Sequence, residues 1–111
     1  MRTTIISTAI AVLALPAVAG SIQGTWASNP GDCGAVYPET QVEISGSKIS
    51  FIESSCKLEN PTDLRDMPDA KLYDVVCSGE GESWSERALI GMSGDDLLIY
   101  SRGFARTYES C

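Results

Sequence analysis

Residues 83–111 read SWSERALIGMSGDDLLIYSRGFARTYESC, and this stretch decides the fold. From Ser83 to Met92, Trp84, Ala88, Ile90 and Met92 fall on one parity, the period-two signature of a half-buried strand. Ser93-Gly94-Asp95-Asp96 then turns the chain, and Leu97 to Ser101 follows as a nearly continuous apolar run. Arg102-Gly103 turns it again into Phe104 to Ser110. Three strands joined by tight turns predict an antiparallel meander.

The same grammar extends toward the N-terminus. Leu72 to Ser78 is rich in β-formers and leads into the turn Gly79-Glu80-Gly81. Val42 and Ile44 alternate with Gln41, Glu43 and Ser45. Ser45-Gly46-Ser47 then reads as a hairpin into Lys48 to Ser54, where Ile49 and Phe51 face one way. A first strand is expected at Gly24-Thr25-Trp26. The fold class is therefore all-β: a small antiparallel meander of about seven strands, closing into a barrel that leaves no edge exposed. Strands this short enclose an interior filled by side chains, so no large cavity is expected. One segment breaks the pattern. Between Lys57 and Ala70, Asn60-Pro61 suits a helix start and Pro68 a stop, so a short helical turn in a long loop is expected over Thr62 to Met67.

The first twenty residues set the compartment. Arg2, the apolar run Ile5 to Leu15 and Ala17-Val18-Ala19 predict a signal peptide over residues 1–19, cleaved before Gly20. That apolar run falls short of the roughly 20 residues a spanning helix needs, so no membrane anchor is expected after cleavage. Residues 20–111 then form a single β-barrel domain, periplasmic or secreted. A domain of this size buries little core and benefits from covalent staples. Cys33, Cys56, Cys77 and Cys111 form an even set, for which three connectivities exist. Cys56 follows one strand and Cys77 ends the next, while Cys111 tied to the first third of the chain would hold down an end that frays. The favoured pairing is Cys56–Cys77 with Cys33–Cys111.

The chain carries a net charge of −7, which disfavours nucleic acid and anionic membrane surfaces as partners. A basic exported protein is the partner class that the charge favours. Five acidic residues stand out as a candidate partner-binding rim: Glu80 and Glu82 at a turn, and Asp63, Asp66 and Asp69 in the long loop. Without a histidine there is no Ser-His or Cys-His pair, and bridged cysteines offer no thiolate. No enzyme activity, cofactor or metal is expected. The cysteine spacings contain no C-x-x-C pair, and the Asp63, Asp66, Asp69 spacing matches no EF-hand loop.

Gly24-Thr25-Trp26, close to the expected mature N-terminus, resembles the G-x-W signature that opens the calycin barrels, among them the lipocalins and small bacterial periplasmic metalloprotease inhibitors. That resemblance implies a tryptophan, Trp26, closing one barrel end, with an arginine of a late strand, Arg106, packed across its ring. It also implies a trunk ahead of the first strand, where this chain offers only Gly20-Ser21-Ile22-Gln23. Lysozyme inhibitors present Ser-Gly loops followed by tyrosine, which Ser45-Gly46, Ser78-Gly79 and Ser93-Gly94 lack. The expectation is thus a monomeric, disulfide-stapled binding protein that inhibits a basic or envelope-located enzyme. The alternatives are a structural or stress-related periplasmic protein and a small-ligand carrier of lipocalin type.

Overall fold

A computed structural model describes residues 21–111, so the expected signal peptide lies outside the described residues. Eight strands follow one another: β1 (Gly24–Ala27), β2 (Gln41–Ser45), β3 (Lys48–Ser50), β4 (Ser55–Leu64), β5 (Met67–Gly79), β6 (Glu82–Ser93), β7 (Asp96–Ser101) and β8 (Phe104–Ser110). Each pairs antiparallel with its neighbour in sequence, and β8 returns to β1, closing the barrel. Closure is narrow. It rests on Trp26 opposite Ser110, Ala27 opposite Glu109, and a 2.9 Å hydrogen bond from the Cys111 N–H to the Thr25 carbonyl.

The parities read from the sequence face inward. Val42 and Ile44 from β2, Ile49 from β3 and Ala88 and Ile90 from β6 are those positions, and Leu58 from β4, Val75 from β5, Leu97 from β7 and Tyr108 from β8, for which the sequence assigns no parity, join them in one core. Cys56 and Cys77 belong to it. They are direct cross-strand partners on β4 and β5 with Cα atoms 4.0 Å apart, and they are bonded. The second bridge joins Cys33 to Cys111. The pairing expected from strand positions is the one found.

Two features differ from the sequence reading. The strands number eight rather than about seven, because Ser55–Leu64, where a long connection is expected, is a strand of its own, and the strand expected over Lys48 to Ser54 ends at Ser50. More important, residues 60–68 form no helical turn. They complete a hairpin in which Thr62 pairs with Leu72, Asp63 with Lys71 and Leu64 with Met67, turning at Arg65-Asp66. Asn60 takes φ 50° instead of the extended geometry of an N-cap, and the register slips between Glu59 and Thr62, where Pro61 has no N–H to give. The ladder below, bolted by Cys56–Cys77, overrides a local Asn-Pro signal. Proline is tolerated there because β4 is unpaired on its other side beyond Leu58, whose N–H donates to the Ser47 carbonyl. The one short helical turn among the described residues is a 3-10 turn at Pro30–Asp32, capped by the Asn29 side chain accepting from the Gly31 N–H.

Two glycines sit where the barrel wall meets itself. A side chain at Gly79 would overlap the Glu53 carbonyl and Ser54, and one at Gly91 would overlap the Asp69 carbonyl and Ala70. The first contact presses the β3–β4 turn onto the end of β5, and the second draws β6 against the foot of the β4–β5 hairpin.

Candidate functional site

In an up-and-down barrel alternate loops share an end, and here the two ends differ. The β2–β3, β4–β5 and β6–β7 turns share one end with the N-terminal segment. There Ile22 packs against the core, and its carbonyl accepts a 3.0 Å hydrogen bond from Trp26 Nε1. The Gln23 side chain clasps Gly46, accepting from its N–H at 2.6 Å and donating to its carbonyl at 3.0 Å. The segment ahead of β1 is therefore bound to the barrel, with a hollow of about 210 Å³ between Ile22 and Pro68 to Tyr73.

The opposite end carries the loops β1–β2, β3–β4, β5–β6 and β7–β8, and it is open. A cup of about 230 Å³ descends into it. Ile49, Val75, Ala88, Ile90 and Ile99 supply apolar wall, and Glu86, Phe104 and Arg106 stand among its charged and aromatic lining. The volume lies below the range of roughly 300–1,000 Å³ usual for ligand pockets. Glu86 is held by Arg102 of the β7–β8 turn, whereas Arg106 has no ion-pair partner among the described residues. Burial pushes the Tyr108 phenol above its ordinary value, opposed by the nearby Arg106 cation, so at neutral pH it remains a donor.

Around this mouth the apolar exposure concentrates. Val36 is 99% exposed and Tyr37 74% on the β1–β2 loop, and Phe104 is 73% exposed beside the cup. Water-facing apolar side chains on a loose loop are ordinary, but this loop is fastened. Cys33 is bonded to Cys111, and Asp32 Oδ2 accepts from both the Thr40 hydroxyl at 2.6 Å and the Thr40 N–H at 3.1 Å. The Gly34 N–H donates to the Gln41 side chain, and the Glu39 N–H to the Tyr37 carbonyl. Two apolar side chains are thus held out into solvent on a braced arch, with Pro38 near Phe51 and Ile52 of the next loop.

The same end is acidic. Glu53 has its carboxyl pushed above the ordinary range, first by hydrogen bonding with Glu80, then by the negative charge of Glu80, and less by desolvation and the charge of Glu39. Glu82 opens β6 immediately after the turn. This divides the expected acidic rim. Glu80 and Glu82 sit at the open end, but Asp63, Asp66 and Asp69 belong to the β4–β5 hairpin. From Asp69 to Glu80 the thirteen-residue strand β5 runs between them, roughly 35 Å at a strand's rise. The hairpin acids are also partly spent, Asp63 on Lys71 at 3.3 Å and Asp66 on Arg65 at 3.9 Å. One partner footprint over all five would have to wrap the length of the barrel.

Arg106 and Trp26 are likewise not brought together. Trp26, 5% exposed, pairs with Ser110, whereas Arg106 lies four residues earlier in β8, opposite Ile99 and on the cup side of Tyr108. The residues that sequence reasoning passed over are Val36, Tyr37, Glu39, Glu53 and Phe104. The signal that could have found the first two was present: Val36-Tyr37-Pro38 is an apolar triplet close after Cys33, outside any strand pattern. In comparisons with protein-family models, curated proteins and solved structures, nothing matches this chain.

Proposed function

We propose that this is an exported binding protein, and that it engages a basic protein of the envelope or the extracellular medium through the open end of its barrel. The observation that carries the reading is the braced Val36-Tyr37 arch, since apolar side chains fixed in water without a core role stabilise only a complex. Tyrosine is a favoured anchor because it buries large area while losing few rotamers. The carboxylates Glu39, Glu53, Glu80 and Glu82 on the same end supply complementarity to a basic surface and would speed encounter. If the partner is an enzyme, a rigid convex loop seated in its cleft would inhibit it. Two disulfides in so small a domain support an oxidising compartment, periplasmic or secreted. The resemblance of Gly24-Thr25-Trp26 to the calycin opening belongs to this proposal and rests on those residues alone.

The test is capture from the exported fraction with Tyr37→Ser, with Glu80→Gln plus Glu82→Gln, and with Asp63, Asp66 and Asp69 all changed to Asn. Loss with the first, weaker capture that falls less with added salt than the parent's with the second and no change with the third support the reading. A partner lost only with the Asn variant would move the interface to the hairpin and sink it. A second reading, a carrier of a small apolar ligand, is supported by the cup beneath Phe104 and Arg106. Native mass spectrometry of the purified protein separates the two, since a carrier retains added mass and a protein-binding module does not.

A further inference from the structure

The three longest stretches of strand edge without a ladder partner among the described residues lie on β4, β8 and β6. β3 meets β4 only over Ser55–Lys57, so β4 runs unpaired on that side from Glu59 onward. β1 meets β8 only at Glu109 and Ser110, leaving the start of β8 open. β7 meets β6 only from Ala88, so Glu82 to Arg87 pair with β5 alone.

These edges are not equally protected. β4 carries Pro61 and a break in register, two devices that blunt an edge against added strands. β8 is neighboured by the β1–β2 loop, since Ser28, Glu39 and Thr40 share a hollow with Arg106 and Tyr108. The β6 edge, Glu82-Ser83-Trp84-Ser85-Glu86-Arg87, has neither proline nor lysine, and its ladder to β5 runs without a slip.

The direction of its backbone groups follows from the turns. Two-residue hairpin turns close on hydrogen-bonded pairs, here Gly79 with Glu82 and Ser93 with Asp96. Since the groups alternate sides along a strand, Glu82, Trp84 and Glu86 bond to β5 while Ser93, Gly91 and Leu89 bond to β7. Both turns assign the same parity. The N–H and C=O groups of Ser83 and Ser85 therefore point outward to a neighbour that is absent among the described residues.

We propose that this edge receives an extended, basic segment of the partner as an added β-strand, a reading that rests on the open end being the binding face. Main-chain hydrogen bonds to Ser83 and Ser85 would give affinity, and alternate side chains would give selectivity. Side chains on the inner parity would fall beside Trp84 and over the cup next to Phe104, which suits apolar residues. The others pass the exposed Ser83 and Ser85, small enough to admit long side chains. Glu86 and Arg87 are already neutralised by Arg102 and Asp74, so the charge left free at this edge is that of Glu80 and Glu82, with Glu53 beside them. That imbalance selects lysine or arginine in the partner segment.

The probe is a capped hexapeptide of alternating lysine and valine, titrated into the purified protein and followed by amide NMR. Its comparators are the same peptide with every second backbone nitrogen methylated, and a glutamate-valine version. The expected result is a shift of the Ser83 and Ser85 amides with at least tenfold slower exchange. Binding should weaken about tenfold on methylation, the loss of two or three hydrogen bonds, and vanish for the acidic peptide. Ser85→Pro should weaken it similarly while leaving the fold intact, because that N–H faces solvent. Equal binding of the methylated peptide, shifts centred on residues 59–64 or 105–107, or no shift at millimolar peptide would each overturn the inference. Tyr37→Ser distinguishes its failure from that of the function proposed above. Binding that survives Tyr37→Ser yet is lost on methylation upholds strand addition and counts against the arch, and the opposite pattern does the reverse.

Discussion

Cys33 is bonded to Cys111 across the foot of the β1–β2 loop, so the residue that follows β8 anchors the arch carrying Val36 and Tyr37. The same bridge reinforces the narrow β1–β8 seam, where Cys111 also donates to Thr25. Stability and presentation of the arch are thus coupled through one bond.

Changing Cys33 and Cys111 together to serine should cost about 4.5 kcal/mol on the loop-entropy model, for a separation of 78 residues. Removing Cys56–Cys77, a separation of 21, should cost about 3 kcal/mol. Denaturant melts without reductant measure both. The distinguishing result is in the arch: amide exchange at residues 34–40 should accelerate in the first variant beyond its global loss, and not in the second.

Trp26→Ala should destabilise by roughly 3–5 kcal/mol, since the ring is buried in the core and its Nε1 ties down Ile22. Tyr37→Ser, on the exposed arch, should change stability by less than about 0.5 kcal/mol while abolishing partner capture. Thermal or denaturant unfolding compares them. A large loss at Tyr37 would mean that the arch is a structural element and not a contact.

Gly91→Ala should be costly although the change is one methyl group. Its Cβ would meet the Asp69 carbonyl and Ala70, backbone that cannot retreat without opening the β5–β6 ladder. We expect a loss of about 1–3 kcal/mol. Gly94→Ala supplies the contrast, because its Cβ would meet nothing, and the cost there is that of a positive φ alone.

Tyr108 makes stability fall at alkaline pH. Burial raises its phenol above the ordinary value near 10, so the unfolded chain loses that proton first. The stabilisation from the neutral phenol is complete below pH 10 and disappears as pH rises through the raised folded value. Denaturation between pH 8 and 11.5 should show the decline, and Tyr108→Phe should flatten it. A decline unchanged in Tyr108→Phe would assign it to other groups.

Much of the architecture was legible because strand alternation and tight turns are local. Trp84, Ala88, Ile90 and Met92 share a parity whatever surrounds them, and glycine-bearing turns mark where the chain reverses. The disulfide pairing came out as expected although Cys56 does not follow a strand: it lies near the start of β4 and Cys77 near the end of β5, and in a hairpin those two positions are opposite each other. The stretch 60–68 was misread because its Asn-Pro signal is also local, whereas what decided it was the ladder to β5.

What the sequence by itself determined is therefore an acidic, all-β, antiparallel barrel with two bridges. The tertiary structure alone decided which residues form a site. Five carboxylates that look alike in sequence were divided between opposite ends by the length of β5, while Val36, Glu53 and Phe104, far apart in the chain, came to one end. The physical reason is closure. Turn chemistry specifies each reversal within a few residues, but the parity of reversals around a closed ring decides which loops become neighbours, and only the ring's register leaves the Ser83–Ser85 edge open.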